Sequence, residues 1–478
     1  MNNMIKEKKW NVCIIGAGTA GIGAAYALAN YNLSDGEKMN VILVEPYPIL
    51  GGTAVNAWVQ TWIEGINPPY LEKILMEYGY KPEEIRKSIL PPCFGGGGNL
   101  LLNHEKLAEQ YRKDMDTALN VTVLTGHWFG GIKSATGEGE KHKIHVITVK
   151  DKNGNCIDIK ADFFIDSSGD GVLCRAAGVD YYIGEDPYSR FNEDLMPKND
   201  QYDETSLNEP SLFYRVLPPE KSQDDSEFLR SIETVYEKDG KVVKPDYIDS
   251  DGYANQRFCN PMTGLGLTGY ECLGKPEWAY KTAVNRFLEH WKFVKTTLQQ
   301  RYDDGMRGSY RGYPVNQRLW NYTGEFAPML GIRESYRIKC EYMLRQDDLT
   351  ELIDPDNLKD YIACGSHTVD FHITHNIDRR KISLFNKSIK PSGIPYRCMI
   401  PVGVKNVLVA CRAYGASHIA LAARRLNKDM AQLGWAAGFA MRECVEGDLD
   451  DVRLVDVAQI QEKSGFKENV QRLMDMYK

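Results

Sequence analysis

The apolar positions of the chain open with an unbroken run, Val12-Cys13-Ile14-Ile15, which ends on Gly16, Gly18 and Gly21. An alanine-rich stretch follows, and then a second unbroken run, Val41-Ile42-Leu43-Val44, closed by Glu45. Runs this short and this uniformly apolar read as strands buried on both faces of a parallel sheet, with the alanine-rich stretch as the crossover helix. Residues 105–119 carry helical spacing and 121–124 a strand, while 144–149 and 157–159 bracket the turn-forming 151–155 as a β-hairpin. Phe163-Phe164-Ile165 is a further buried strand, running into the glycine-rich turn Asp166-Ser167-Ser168-Gly169-Asp170-Gly171. Periodicity is then lost over 184–261, where the composition turns acidic. Residues 278–301 predict one long amphipathic helix whose stripe of Val284, Phe287, Leu288, Trp291, Val294 and Leu298 reads as core. A last strand over 404–410 precedes a helix over 429–444, where Gly434 and Ala436-Ala437-Gly438 permit close backbone approach.

This order predicts an α/β protein. Its Rossmann-like domain is split in sequence, residues 1–180 plus 395–478, around an inserted α+β substrate or cap domain over 181–394. Composition narrows the partners. With 478 residues, 43% apolar and 26% charged, and a formal charge of -7 without a dense Lys/Arg block, the chain has no footprint for nucleic acid or an anionic membrane. No apolar run approaches the roughly 18 residues of a membrane span. The polar residues 1–10 lead straight into the first strand, so a cytoplasmic location is expected. The eleven cysteines are scattered without a C-x-x-C pair, which points to reduced thiols and away from an iron-sulfur cluster or structural zinc; no metal is expected.

The first glycine turn carries chemistry. Gly16 permits a tight turn, Gly18 lets backbone approach a pyrophosphate, and Gly21 lets the helix pack on the strand; Thr19 and Ala20 complete the first helical turn. The phosphates face a helix N-terminus, an anion site that needs no lysine or arginine. Glu45, followed by Pro46, is placed to accept hydrogen bonds from a ribose diol.

Four ordered segments resemble the FAD-dependent oxidoreductases of the glutathione-reductase-like fold, in particular the fumarate-reductase-like and heterodisulfide-reductase-like flavoproteins. They are Gly16 to Gly21 with Glu45 and Gly51-Gly52; Ile165-Asp166-Ser167-Ser168-Gly169-Asp170-Gly171; Gly331-Ile332-Arg333-Glu334-Ser335-Tyr336-Arg337-Ile338; and Ile394-Pro395-Tyr396-Arg397 through Ala410-Cys411-Arg412 to Gly434-Trp435-Ala436-Ala437-Gly438. The resemblance implies FAD as cofactor. It implies that Gly51, Gly52, Thr53 and the stretch to Ala57 pass along the diphosphate and flavin, and that Ser168, Gly169 and Asp170 form a further cofactor turn. Arg412 and Ala413 would lie by the ribityl chain, and Asn427, Lys428, Asp429 and Met430, opening the C-terminal helix, by the carbonyl edge of the ring. Three features depart from the pattern: Cys411 in place of Gly, Trp435 in place of Gln, and the missing cysteine clusters.

The resemblance implies transfer of hydride or electrons between a small-molecule substrate and FAD, with a redox partner protein as a further expectation. An electron-transfer subunit serving an iron-sulfur partner, a non-catalytic FAD-binding protein and an NAD-only dehydrogenase are the alternatives. The candidate chemical groups are Arg333, Glu334, Arg337, His367, Asp370, His372, His375, Arg397 and His418. Strand alternation in Val369-Asp370-Phe371-His372 puts Asp370 and His372 on one face, where a carboxylate can orient an imidazole for proton transfer. A hydrogen-bonded structural pair is the other reading. Arg333 and Arg397 suit a substrate carboxylate, or else tie the cap domain to the flavin domain. His367, His372 and His375 are closely spaced but lack a fourth ligand for zinc.

Overall fold

The computed structural model describes residues 5, 8–89, 100–137, 142–217, 237–238, 241–242, 258–262, 267–310, 313–372 and 376–477. They form two compact units: residues 1–56, 60–208 and 333–478, and residues 57–59 with 209–332.

The first unit is built on a parallel sheet. β1 (Lys9–Ile15) lies between β2 (Val41–Glu45) and β6 (Cys156–Asp166), with β3 (Val121–Thr125) outside β2 and β12 (Val407–Val409) outside β6. All of these neighbours run parallel, in register Ile15↔Val44, Ile15↔Asp166 and Val409↔Asp166. The carboxyl ends of β1, β2, β6 and β12 therefore finish side by side, where ligands bind in open α/β sheets. The front half of β6 instead pairs antiparallel with β5 (Lys143–Asp151), which pairs with β4 (His127–Thr136), and the hairpin of 151–155 is present as expected. Asp151 closes that turn by accepting the backbone N–H groups of Asn153 and Asn155, each at 2.8 Å.

α1 (Thr19–Leu28) and α4 (Asn427–Glu446) cross on one face of the sheet. A β-carbon on Gly434 would fall 1.8 Å from the Ala20 carbonyl oxygen, and one on Gly438 2.4 Å from the Ala27 methyl, so the small residues of both helices set the crossing. α2 (His104–Thr117) starts where Asn103 accepts from the N–H groups of Glu105 and Lys106.

The compact units divide at 208 and 333, whereas the sequence suggested 180 and 395. Strand pairing explains the difference. Tyr181–Tyr182 pair with Arg337–Ile338, and β10 (Tyr361–Gly365) pairs with β11 (Ser392–Pro395), all inside the first unit and largely buried there. The second unit has β7 (Leu212–Leu217) flanked antiparallel by β8 (Phe258–Met262) and β9 (Asn321–Phe326), with α3 (Pro276–Asp303) packed on them. Phe287, Trp291, Val294 and Leu298 form its core with Leu212, Tyr214 and Val216, and Val284 packs against them. The side chain of Leu288 and most of 218–257 lie outside the described residues. Among the described residues no helix is long and apolar enough to cross a membrane.

Candidate functional site

The glycine turn after β1 is built as its spacing requires. Gly16 has φ +94°, and a β-carbon there would lie 2.4 Å from the Ser167 carbonyl oxygen; one on Gly21 would lie 1.9 Å from the Gly16 carbonyl oxygen. Gly18 differs. Its φ of -69° suits any residue, and the nearest atom to an added β-carbon is Gly52 Cα at 3.9 Å. Packing inside the protein does not demand glycine at 18, so the bare backbone serves something that approaches from outside. Gly52, at φ +50°, comes so close from the other side that its β-carbon would be 2.7 Å from Gly18 Cα, and Gly51 N–H donates to the Ala17 carbonyl at 2.7 Å. The two glycine turns thus make a smooth wall over the N-terminus of α1, which has no side-chain cap and no acidic residue in its first turn. A diphosphate fits such a cradle.

Thr19 and Ala20 are buried in that first turn, Thr53 is half-buried in the short helix Gly52–Asn56, and Pro46 is half-buried behind β2. Ala57 falls in the second unit. Glu45, 3% exposed, accepts from Ala17 N–H at 2.6 Å and Tyr47 N–H at 3.0 Å. Burial raises its pKa against those two hydrogen bonds. Each oxygen keeps a lone pair for a ribose hydroxyl.

The turn after β6 is organised by a residue left out of the expected site. Asp166 is fully buried and accepts from Ser168 N–H and Oγ–H, Leu173 N–H and Cys174 N–H. Ser335 Oγ donates to the Gly169 carbonyl at 2.9 Å, and Ile338 N–H to the Ala413 carbonyl at 2.8 Å, which seats the 335–338 stretch on the turns after β6 and β12. Arg412 bonds Asp170 at 2.7 Å. The structure brings Ser168, Gly169, Asp170, Arg412 and Ala413 into one neighbourhood. Asp166 and Ser335 stood in recognised segments but carried no assigned role, because capping by a buried acid depends on chain atoms that sequence spacing does not display.

α4 begins at Asn427, where Asp429 accepts from Leu426 N–H at 3.1 Å; burial pushes Asp429 up to about 6. Asn427 is half-buried and Met430 buried. Lys428 turns inward: its Nζ donates to the Ser88 carbonyl and Oγ, both at 2.9 Å, and burial lowers its pKa to about 7. Its ammonium belongs to this internal contact. Trp435 donates Nε1–H to the Ser464 carbonyl and leans on Tyr70.

Asp370 and His372 meet, Oδ2 to Nε2, at 3.0 Å. They do so from an irregular segment rather than the expected strand, because residues 366–371 are braced by side chains. Arg425 donates to the Asp370 carbonyl at 3.0 Å and lies 3.5 Å from its carboxylate; Asn208 Oδ1 accepts from His372 N–H at 2.9 Å. Burial pushes Asp370 up, but His372 and Arg425 outweigh it and hold the carboxyl well below the usual range. Arg425 sits just before α4, so the pair adjoins the start of that helix. Arg333 is half-buried at the head of its segment. Arg397 lies elsewhere, 53% exposed and paired with Asp360 at 2.8 Å and 3.3 Å. His375 lies outside the described residues.

Behind the pair runs a buried polar network. Glu334 receives both the backbone and side-chain N–H of Asn208 and meets His418 Nδ1 at 2.7 Å. Arg337 grips Asp186 with two bonds, 2.6 Å and 3.1 Å, and Asp186 also takes His418 N–H. Burial pushes the Asp186 and Glu334 carboxyls up, but Arg337 at the first and His418 with Arg337 at the second bring both below their ordinary value. Glu193 accepts from Ser417 Oγ and Gln346 N–H, and burial carries it up to about 7.

No curated protein matches the chain. Among solved structures, a geranylgeranyl bacteriochlorophyll reductase-like protein of Thermoplasma acidophilum is 11% identical over 98% of this chain and 87% of its own, with a TM-score of 0.40. THI4 of Thermovibrio ammonificans is 19% identical over 41% of this chain and 74% of its own, with a TM-score of 0.28. A myxobacterial chondrochloren halogenase described as FAD-dependent is 15% identical over 44% of each chain, with a TM-score of 0.26. At these scores the likenesses add nothing to the assignment. The family model FAD dependent oxidoreductase matches residues 11–463, nearly the whole chain, over the same cradle, turns and C-terminal helix: the chain belongs to that family, and its cofactor is FAD.

Proposed function

We propose that the chain transfers a hydride between a small-molecule substrate and FAD, with the Asp370–His372 pair carrying the accompanying proton, and that it belongs to the glutathione-reductase-like branch of flavoproteins. What supports this reading is one juxtaposition: an ionised carboxylate on an imidazole, braced by Arg425 two residues before the helix that follows the cofactor turns. Bound FAD supplies the acceptor for an electron pair leaving as hydride. The residues do the rest. With Nε2 committed to Asp370, His372 exchanges protons at Nδ1. Held below its ordinary range by His372 and Arg425, the Asp370 carboxylate stabilises the imidazolium. Asn208, held in turn by Glu334, fixes the His372 backbone. Arg333 is the guanidinium we assign to an anionic group on the substrate.

The test is anaerobic bleaching of the flavin band near roughly 450 nm by a panel of alcohols, hydroxy acids and amines. At least one donor should bleach the wild-type protein, and His372→Asn should slow it by about 10²–10⁴-fold. Equal rates in the two proteins would sink the assignment of the pair.

A further inference from the structure

A second imidazole–carboxylate pair is built on His367, five residues before His372. His367 Nδ1 and Glu64 Oε2 are 2.9 Å apart, leaving His367 Nε2 as the exchanging atom. Consecutive arginines place the two pairs together. Arg424 donates to the His367 carbonyl at 2.7 Å as Arg425 donates to that of Asp370 at 3.0 Å, and the five residues of chain between His367 and His372 span at most about 18 Å. Glu64 is held at φ +49°, in the left-handed region that residues with a β-carbon rarely adopt, and such conformations concentrate at functional sites. The adjoining Gly65 borders the first turn of α4: an added β-carbon would meet Asp429 Oδ1 at 3.5 Å and Gln432 Nε2 at 3.7 Å. Exposure is graded along the set. Side-chain exposure is 14% for Glu64 and 16% for His367, then 30% for His372 and 44% for Asp370.

We propose that Glu64–His367 is the inner station, and Asp370–His372 the outer station, of a two-imidazole relay that carries the substrate's proton to water. The proposal rests on the functional reading above and extends it. In a CH–XH substrate the C–H bond breaks with its electron pair leaving as hydride to FAD. The X–H electron pair becomes the second bond of C=X, and the released proton goes to His367 Nε2. From there it passes through water to His372 Nδ1 and out. Each imidazolium is met by its own carboxylate, so neither station holds an uncompensated charge. The other charged groups facing His367 are Asp370, Asp429 and Arg424.

The experiment is proton-exchange and pH titration NMR on full-length, FAD-loaded protein with labelled histidine, His367 and His372 being assigned through His367→Asn and His372→Asn. The flavin is then reduced in place with dithionite. The negative charge gained should raise the His367 midpoint by about half a pH unit or more, and by more than that of His372. In His372→Asn, exchange of the His367 ring proton with solvent should slow about tenfold, while His367→Asn leaves exchange at His372 unchanged. Glu64→Gln, a conservative change, should lower the His367 midpoint by about one unit. A shift at His372 with none at His367 overturns the relay and leaves the functional reading intact. No shift at either histidine removes both, and unchanged exchange at His367 in His372→Asn removes the relay.

Discussion

The glycine cradle and the histidine corner of the first unit, to which we assign the diphosphate and the proton, are built in opposite ways. The cradle works by what is missing: no side chain at Gly18 and Gly52, no capping group on α1 and no acidic residue in its first turn. The corner works by what is crowded in: two carboxylates, two imidazoles and two arginines on irregular chain, backed by a buried ion network. On the proposed roles, an anion bound by backbone tolerates no additions, whereas a proton path tolerates no subtractions.

Substitution in the cradle gives the largest effects and separates its glycines. Gly16→Val adds a strained φ to a collision with the Ser167 carbonyl, a cost of roughly 2–6 kcal/mol against a total stability of about 5–15 kcal/mol. Gly18→Ala should leave the denaturation midpoint within about 0.5 kcal/mol of wild type yet weaken FAD retention by about tenfold or more, since about 1.4 kcal/mol is tenfold. Denaturant melts and the flavin absorbance of purified protein read the two quantities separately. A Gly18→Ala protein that keeps its FAD would show that the open space beside Gly18 is not the diphosphate path.

The same contrast explains what could be read from the sequence. Gly16, Gly21 and Gly434 are demanded by backbone collisions between neighbouring elements, so their spacing carries the fold. The Asp370–His372 contact was also legible, although from a strand that the structure replaces with an arginine-braced segment. The Glu64–His367 contact was not, because 303 residues separate its members and no local period links them. Asp166 and Lys428 were hidden differently. Burial decides their roles, the first as an acceptor for four donors and the second as a donor to Ser88. Arg397 stands in a segment of the family resemblance, but its guanidinium is taken by Asp360 at the surface.

In the corner, Asp370→Asn should cut flavin bleaching by a responsive donor about 10²–10⁴-fold with FAD content unchanged, the inverse of Gly18→Ala. Loss of FAD in Asp370→Asn would blur the division between the two regions.

Glu193, in the network behind the corner, predicts a pH signature of stability. Its carboxyl ordinarily titrates near 4.5 and is raised to about 7 in the folded chain, so between these values the folded state binds the extra proton. The stabilisation is complete below pH 4.5 and is lost as the pH climbs through 7, by an amount on the order of 3 kcal/mol. Lys428 slopes the other way at higher pH: its folded value is lowered to about 7, so its contribution is present above its ordinary 10.5 and lost as the pH falls through 7. Glu193→Gln should shrink the decline between pH 4.5 and 7 in denaturant melts, leaving the part that Asp429 contributes below about 6, and leave the alkaline side alone. An unaltered decline in Glu193→Gln would mean that Glu193 is ionised in the fold.

The smallest expected effect is the one that bounds the corner. Arg397 is half-exposed, and an exposed pair such as Arg397–Asp360 is worth about 0–1 kcal/mol. Arg397→Ala should therefore leave FAD content and donor-driven bleaching unchanged and move the melt by less than that amount. Arg333→Ala, made alongside it, should raise the donor concentration needed for half-maximal bleaching by an anionic donor while leaving the limiting rate of a neutral one. If Arg397→Ala shows that selective defect and Arg333→Ala does not, the substrate's anionic group is held at the surface turn Tyr396–Met399 after β11, and the site extends along 394–412 rather than 331–338.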